Sequence, residues 1–124
     1  MVDKSGSEPV QIEHLLGIVR RLRDPDQGCP WDVGQTFQSI VPHTIEEAYE
    51  LADAIESNDF DQIREEAGDV LFQVLFYAQM ADEKQHFNFA DVVEGLSEKL
   101  IRRHPHVISP NGTARQEVPI AVSD

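Results

Sequence analysis

A chain of 124 residues with a formal charge of -13 has room for one domain and one core, and it lacks an unaided grip on nucleic acid, which relies on lysine and arginine displacing counterions from phosphates. At 40% hydrophobic residues with few aromatics, it suits a compact helical protein better than a sheet sandwich or a disordered segment. Its single cysteine, Cys29, excludes an intramolecular disulfide and a multi-cysteine zinc site and fits a reducing compartment.

Residues 1–9 are polar, with Gly6 and Pro9, and are expected to form a disordered lead-in. From Val10 to about Arg23 the positions Ile12, Leu15, Leu16, Val19 and Leu22 recur at helical spacing and predict a first amphipathic helix. Asp24 to Pro30 breaks it, and an ordered loop is expected to run on to Gly34, because Trp31 needs something to pack on. A second helix ends near Glu56. Pro42 is tolerable only in a first turn, which favours a start near Ser39. Asn58 and Asp59 cap a third helix, with Gln62 placed as in a capping box, and this helix reaches about Lys84. Its later half, Val70 to Ala78, is apolar nearly all round and must be covered on every side, more than so short a chain can manage alone; a homo-oligomer is the natural inference. The same run is interrupted by Gln73 and Gln79 and is too short for a bilayer, and no signal-peptide stretch opens the chain, so a cytoplasmic protein without membrane contact is expected. Asn88 caps a fourth helix with Val92, Val93, Leu96, Leu100 and Ile101 as its stripe, ending at His104-Pro105. The domain therefore occupies 10–107, and 108–124 reads as a flexible tail. The fold class is all-α, with four to five helices in a bundle-like arrangement completed by homodimerisation.

The chemistry points to two acidic clusters one helix apart. Between Glu46 and Asp69 ten carboxylates face a single base, Arg64. Residues three or four apart share a helical face, so Glu47 with Glu50, Glu46 with Glu50, and Glu66 with Asp69 form pairs, and two helices side by side would aim them at each other. Crowded carboxylates repel unless a cation or a proton neutralises them, and a hard divalent cation does so most simply. Asp69 directly precedes Val70-Leu71-Phe72, so on a central helix it is expected to be shielded from open solvent. Six of the ten lysines and arginines lie in two groups, Arg20-Arg21-Arg23 and Lys99-Arg102-Arg103, which suggests a metal side and a phosphate side.

Plainer readings stand beside these. Glu47 is three residues after Thr44 and could close a capping box there, although that leaves Glu50 and the second pair unexplained. Trp31 serves as a core or lid residue or as a stacking platform for a base. Cys29 is structural, since no histidine is placed by sequence to activate it. Lys99, Arg102 and Arg103 either favour the helix C-terminus or clamp phosphate. His104 and His106 are metal ligands or, more commonly for such a place, helix-end contacts. Glu83-Lys84-Gln85-His86 is a Glu-x-x-His, as in di-iron bundles, but it is single and lies about 21 Å along the helix from Asp69.

Three stretches together resemble the MazG family of nucleoside triphosphate pyrophosphohydrolases, an all-α group that also holds dimeric dUTPases. They are Gly28-Cys29-Pro30-Trp31-Asp32, the Glu46, Glu47 and Glu50 motif followed by Glu66 and Asp69, and Lys99 to Val107 with Arg102, Arg103 and His104. The resemblance covers roughly Ile12 to Val107. It implies Mg²⁺-dependent hydrolysis of a nucleoside triphosphate between the α and β phosphates, with Mn²⁺ as a substitute ion. It carries metal binding to Glu47, Glu50, Glu66 and Asp69, phosphate contacts to Lys99, Arg102 and Arg103, and an approach to the base to Trp31; Glu46, the spare carboxylate beside the ligands, is then expected to orient or deprotonate the attacking water. It also implies a dimer. Longer members carry two such domains, and this chain resembles the first, which leaves a second expectation: a dimerisation or nucleotide-sensing half with little or no turnover.

Overall fold

The computed structural model describes residues 12–114, and the expectations for 1–9 and for 115–124 lie outside them. Five helices follow one another: α1 (Ile12–Leu22), α2 (Pro30–Val33), α3 (Phe37–Glu56), α4 (Phe60–Glu83) and α5 (Phe89–Arg103). No β-strand occurs among the described residues, and an isolated bridge joins Ile108 to Ala114. No helix among them is long and apolar enough to cross a membrane.

The chain forms two compact units that divide after His86. In the first, α4 is central and packs on both α3 and α1. The core is Val19 from α1, Ile40 and Ala54 from α3, and Leu75, Phe76, Ala78, Met80 and Ala81 from α4. Those α4 positions go round the helix, as the all-round apolar run requires, but coverage is confined to its C-terminal half. Leu71 and Val74 are each 39% exposed.

Local chemistry sets the boundaries. α3 begins at Phe37, earlier than Pro42 suggests, because Thr36 and Ser39 form a reciprocal capping box: Ser39 N–H donates to Thr36 Oγ1 at 3.1 Å and Thr36 N–H donates to Ser39 Oγ at 2.8 Å. Pro42 therefore lies inside the helix. Its missing N–H deprives only the carbonyl of Gln38, an exposed residue whose carbonyl water can serve. The α3–α4 link is three residues long. Asn58 takes the left-handed conformation (φ 59°), its N–H donates to the Ile55 carbonyl, and Asp59 then caps α4 by accepting from Gln62 N–H. Gln85 (φ 62°) ends α4 in the same way, with His86 N–H donating back to the Ala81 carbonyl at 2.9 Å. A link this short makes α3 and α4 antiparallel neighbours.

The second unit holds α5 and a turn. Asn88 and Asp91 close a capping box at its start. None of its residues is buried, and Val93, Leu96 and Leu100 form an exposed apolar stripe. Beyond it, Ser109 N–H donates to the Thr113 carbonyl at 2.8 Å around Gly112, whose φ of 90° favours glycine.

Candidate active site

The antiparallel register of α3 and α4 brings Glu47 opposite Glu66 and Asp69. One carboxylate oxygen from each lies within 4.8 Å of the other two. Glu47 Oε1 and Glu66 Oε1 are shielded from solvent and have no hydrogen-bond partner. Buried carboxylate oxygens are normally bonded, and two orphaned ones within one carboxylate cluster need a counter-charge. Desolvation pushes the Glu47 carboxyl above the usual range, helped by the charges of Asp69, Glu50 and Glu46 and opposed by His43. Glu66 is raised by the same cause and by Glu50, Asp69, Glu47 and Glu65. A divalent cation removes both penalties, and this oxygen-only donor set fits Mg²⁺ or Mn²⁺ better than a soft metal. Glu50 is not one of the three converging groups, but its charge acts on both glutamates. Glu46 is exposed on α3 beside them.

The burial order differs from the sequence expectation. Asp69 is exposed, whereas Glu47 and Glu66 are partly buried. α4 is enclosed only from about Gln73 onward, so the apolar residues next to Asp69 do not shelter it. Nor does Thr44 cap a helix. It lies inside α3, where its hydroxyl meets Gln73 and Tyr77 of α4, so a capping-box role for Glu47 is excluded.

Beside the carboxylates lies a pocket of about 230 Å³. Trp31, His43, Phe72 and Phe76 wall it, and Glu47, Asp69 and Gln73 reach its lining. Trp31 is 52% exposed, so it is no core residue, and its ring meets His43 edge-on at 5.6 Å. The segment presenting it is built tightly. Gly28 N–H donates to the Asp24 carbonyl at 2.8 Å, Cys29 N–H donates to the Leu22 carbonyl at 3.0 Å, and the Asp24 carboxylate accepts from the N–H groups of Asp26 and Gln27. Those two bonds hold the Asp24 carboxyl below its usual range. Pro30 then opens α2, one short helix where the sequence predicts only ordered loop. Arg23 fastens its far end: Nη1 donates to the carbonyls of Asp32, Val33 and Gln35, while Nε and Nη2 grip Glu83 at 3.1 and 2.6 Å. Arg23 is thus spent on structure, apart from the phosphate side suggested by its basic neighbours. Glu83 is its counter-ion, with a carboxyl lowered chiefly by that bond, which leaves nothing of the Glu-x-x-His reading.

Lys99, Arg102 and Arg103 are exposed on α5, at spacings that put them on one face. His104 Nδ1 bonds the Leu100 carbonyl at 2.8 Å, the helix-end contact expected of it. Cys29 is a free, half-buried thiol. His43 and Gln73 were not singled out from sequence, yet each lies four residues from a carboxylate, His43 before Glu47 and Gln73 after Asp69. Continuing the same helical face by one turn finds both.

Comparison with known proteins adds lineage to this geometry. A "Nucleoside triphosphate pyrophosphohydrolase" of Escherichia coli (strain K12) is 59% identical over 99 residues, covering 80% of this chain and 38% of the relative. A "Nucleoside triphosphate pyrophosphohydrolase/pyrophosphatase MazG" of Thermotoga maritima is 49% identical over 109 residues, covering 86% of this chain and 42% of the relative. A Bacillus subtilis protein, YabN, described as uncharacterized, is 49% identical over 107 residues and is covered to 22% of its length. The chain spans less than half of each. Residues 35–108 match the MazG nucleotide pyrophosphohydrolase domain, through both carboxylate-bearing helices and on past α5, and the chain therefore belongs to that family.

Proposed function

We propose that this domain is a Mg²⁺-dependent nucleoside triphosphate pyrophosphohydrolase that consumes water to break the α–β anhydride, giving a nucleoside monophosphate and pyrophosphate. The observation that carries the reading is the pair of orphaned, buried oxygens on Glu47 and Glu66, converging with Asp69 beside a base-sized pocket. Glu47, Glu66 and Asp69, with Glu50 at their edge, would hold Mg²⁺, or Mn²⁺ in its place. The bound ion supplies charge neutralisation at the phosphates and a water of lowered pKa. Glu46, the spare carboxylate, orients or accepts a proton from the attacking water. Lys99, Arg102 and Arg103 provide positive charge for phosphate oxygens, and Trp31 and His43 shelter the base from solvent. The domain acts as a dimer in a reducing compartment such as the cytoplasm, where Cys29 stays a thiol.

A second reading rests on length. The named relatives extend well beyond the matched segment, so the activity of the whole relative could reside outside it, leaving this domain a dimerisation or nucleotide-sensing half. Pyrophosphate release from a panel of nucleoside triphosphates separates the two. The expected result is release that requires Mg²⁺ and falls by at least about 100-fold in Asp69→Ala, the scale at which even supporting residues of metal sites count. Release that persists without metal or in Asp69→Ala would overturn the hydrolase mechanism. Metal-dependent nucleotide binding with no release would favour the sensing half.

A further inference from the structure

The pocket contains one polar side chain whose bonding is half finished. Gln73 is only 7% exposed, and a buried amide needs partners for both its ends. Its oxygen has one: Thr44 Oγ1 donates to Gln73 Oε1 at 2.8 Å. Gln73 Nε2 has none among the described residues, and Gln73 contributes to the pocket lining while Thr44 does not. The amide's oxygen is therefore engaged by α3, and its N–H donors are the end left unbonded beside the pocket.

A chain of hydroxyls favours this direction. Thr44 has a single hydroxyl proton, and an amide oxygen can only accept, so the 2.8 Å contact uses that proton. Tyr77, whose hydroxyl is 2.7 Å from Thr44 Oγ1, must then donate to it. The alternative acceptor for Thr44, the Ile40 carbonyl, is farther away at 3.3 Å. Tyr77 is itself steadied by stacking on Phe37, with ring centres 5.8 Å apart and planes at 15°. Turning the amide over would leave the Thr44 proton to the more distant Ile40 carbonyl.

At about 230 Å³ the pocket is below the ~300–1,000 Å³ usual for a complete small-molecule ligand, which suits a nucleobase with sugar and phosphates outside. Gln73 is one helical turn, about 6 Å along the axis, beyond Asp69. We propose that Gln73 reads the base: its N–H donates to a keto oxygen, so the site takes keto bases of the uracil, hypoxanthine or guanine kind in preference to amino bases of the cytosine or adenine kind. An exocyclic amine in that place sets donor against donor and leaves both unbonded in a buried setting, the arrangement that gives polar sites their strongest discrimination. This inference rests on the reading of the site as one for nucleotides.

Its test is calorimetric binding, with Mg²⁺ present, of two matched pairs of monophosphates, UMP against CMP and IMP against AMP. The intact protein should bind the keto member of a pair at least about tenfold more tightly. Gln73→Leu should bring the two within about twofold, and Thr44→Val, which frees the amide to turn, should fall between. Mn²⁺ affinity of each variant, read by paramagnetic resonance, should match the parent and so report an intact fold and metal site. Equal affinity for both members, binding of neither, or a preference that survives Gln73→Leu would overturn the inference. Keto preference in binding without pyrophosphate release would overturn the hydrolase reading and leave this one standing. Release with no preference between bases would do the reverse.

Discussion

Glu47 and Glu66 each keep one oxygen out of water with nothing to bond, so the folded state of the metal-free protein resists their ionisation. Both carboxyls are raised from an ordinary value of 4.5, desolvation being the leading cause. For a raised carboxyl the folded state holds its proton longer than the unfolded state does. The stability this contributes is complete below the ordinary value and is lost as pH climbs through the raised one. Asp24 and Glu83 act oppositely: their carboxyls are lowered, and their contribution disappears as pH falls through the depressed values. Metal-free protein should therefore lose stability between mildly acidic and neutral pH, and Glu66→Gln should reduce that loss. Thermal unfolding in chelator across pH 5 to 8 measures it, and a steeper loss in Glu66→Gln would count against the assignment. Mg²⁺ at a hundredfold excess over its Kd should stabilise the parent by about 2.7 kcal/mol, and Glu66→Gln should forfeit most of that response. These carboxylates were legible because helical spacing alone pairs them. Their burial was not, since it depends on which half of α4 is enclosed, and a residue's apolar neighbours in sequence do not say. Gln73 was visible only as an interruption of an apolar run; its meaning lies in Thr44, which is contributed by a different helix.

The element that places Trp31 on the pocket wall is α2, whose four residues have little stability of their own and are held from both ends. Arg23 binds the carbonyls at its C-terminal side, and Gly28 sets its approach. A Cβ on Gly28 would come closer than 3.0 Å to the carbonyl oxygens of Arg21, Leu22 and Asp24, all backbone and none free to swing aside. Gly28→Ala should destabilise the protein by about 1–3 kcal/mol, as overpacking generally does, with an added loss of nucleotide affinity because Trp31 is displaced. Denaturant unfolding beside nucleotide titration checks both, and an unchanged midpoint would show that the turn relaxes. The long helices were readable to within a few residues from apolar period and caps. α2 was not, because a single helical turn has no period to detect. Arg23 was read with its basic neighbours for a similar reason: its counter-ion is 60 residues away, and no local spacing joins Arg23 to Glu83.

At the scale of the whole molecule, surplus apolar surface is the outstanding feature. On α3, Val41, Ile45, Tyr49 and Ile55 are exposed, Tyr49 by 67%, and Ile45, Ala48, Tyr49 and Ala52 line a shallow groove in which the small alanines leave room for an approaching side chain. On α4, Leu71 and Val74 add to it within the same unit, as does Phe60 at 74% exposure. Single exposed apolar residues are ordinary, but a series along one helix at spacings of roughly one turn is the mark of an interface. The apolar excess in α4 argues from sequence for a homo-oligomer, and α3 turns out to carry at least as much of it. We expect the protein to sediment as a dimer of its 14.0 kDa chain at micromolar concentration. Ile45→Lys should shift it toward monomer, because a charge buried in an apolar interface has no partner there, while an exposed position on the isolated chain accepts lysine at little cost. Mn²⁺ binding separates the possible causes. Monomeric Ile45→Lys that keeps its metal affinity would show that the carboxylate site is complete within one chain, as the convergence of Glu47, Glu66 and Asp69 requires. Loss of metal together with the dimer would mean that association holds α3 and α4 in register. A monomeric parent protein would leave the α3 face to another partner and remove the dimer from the mechanism.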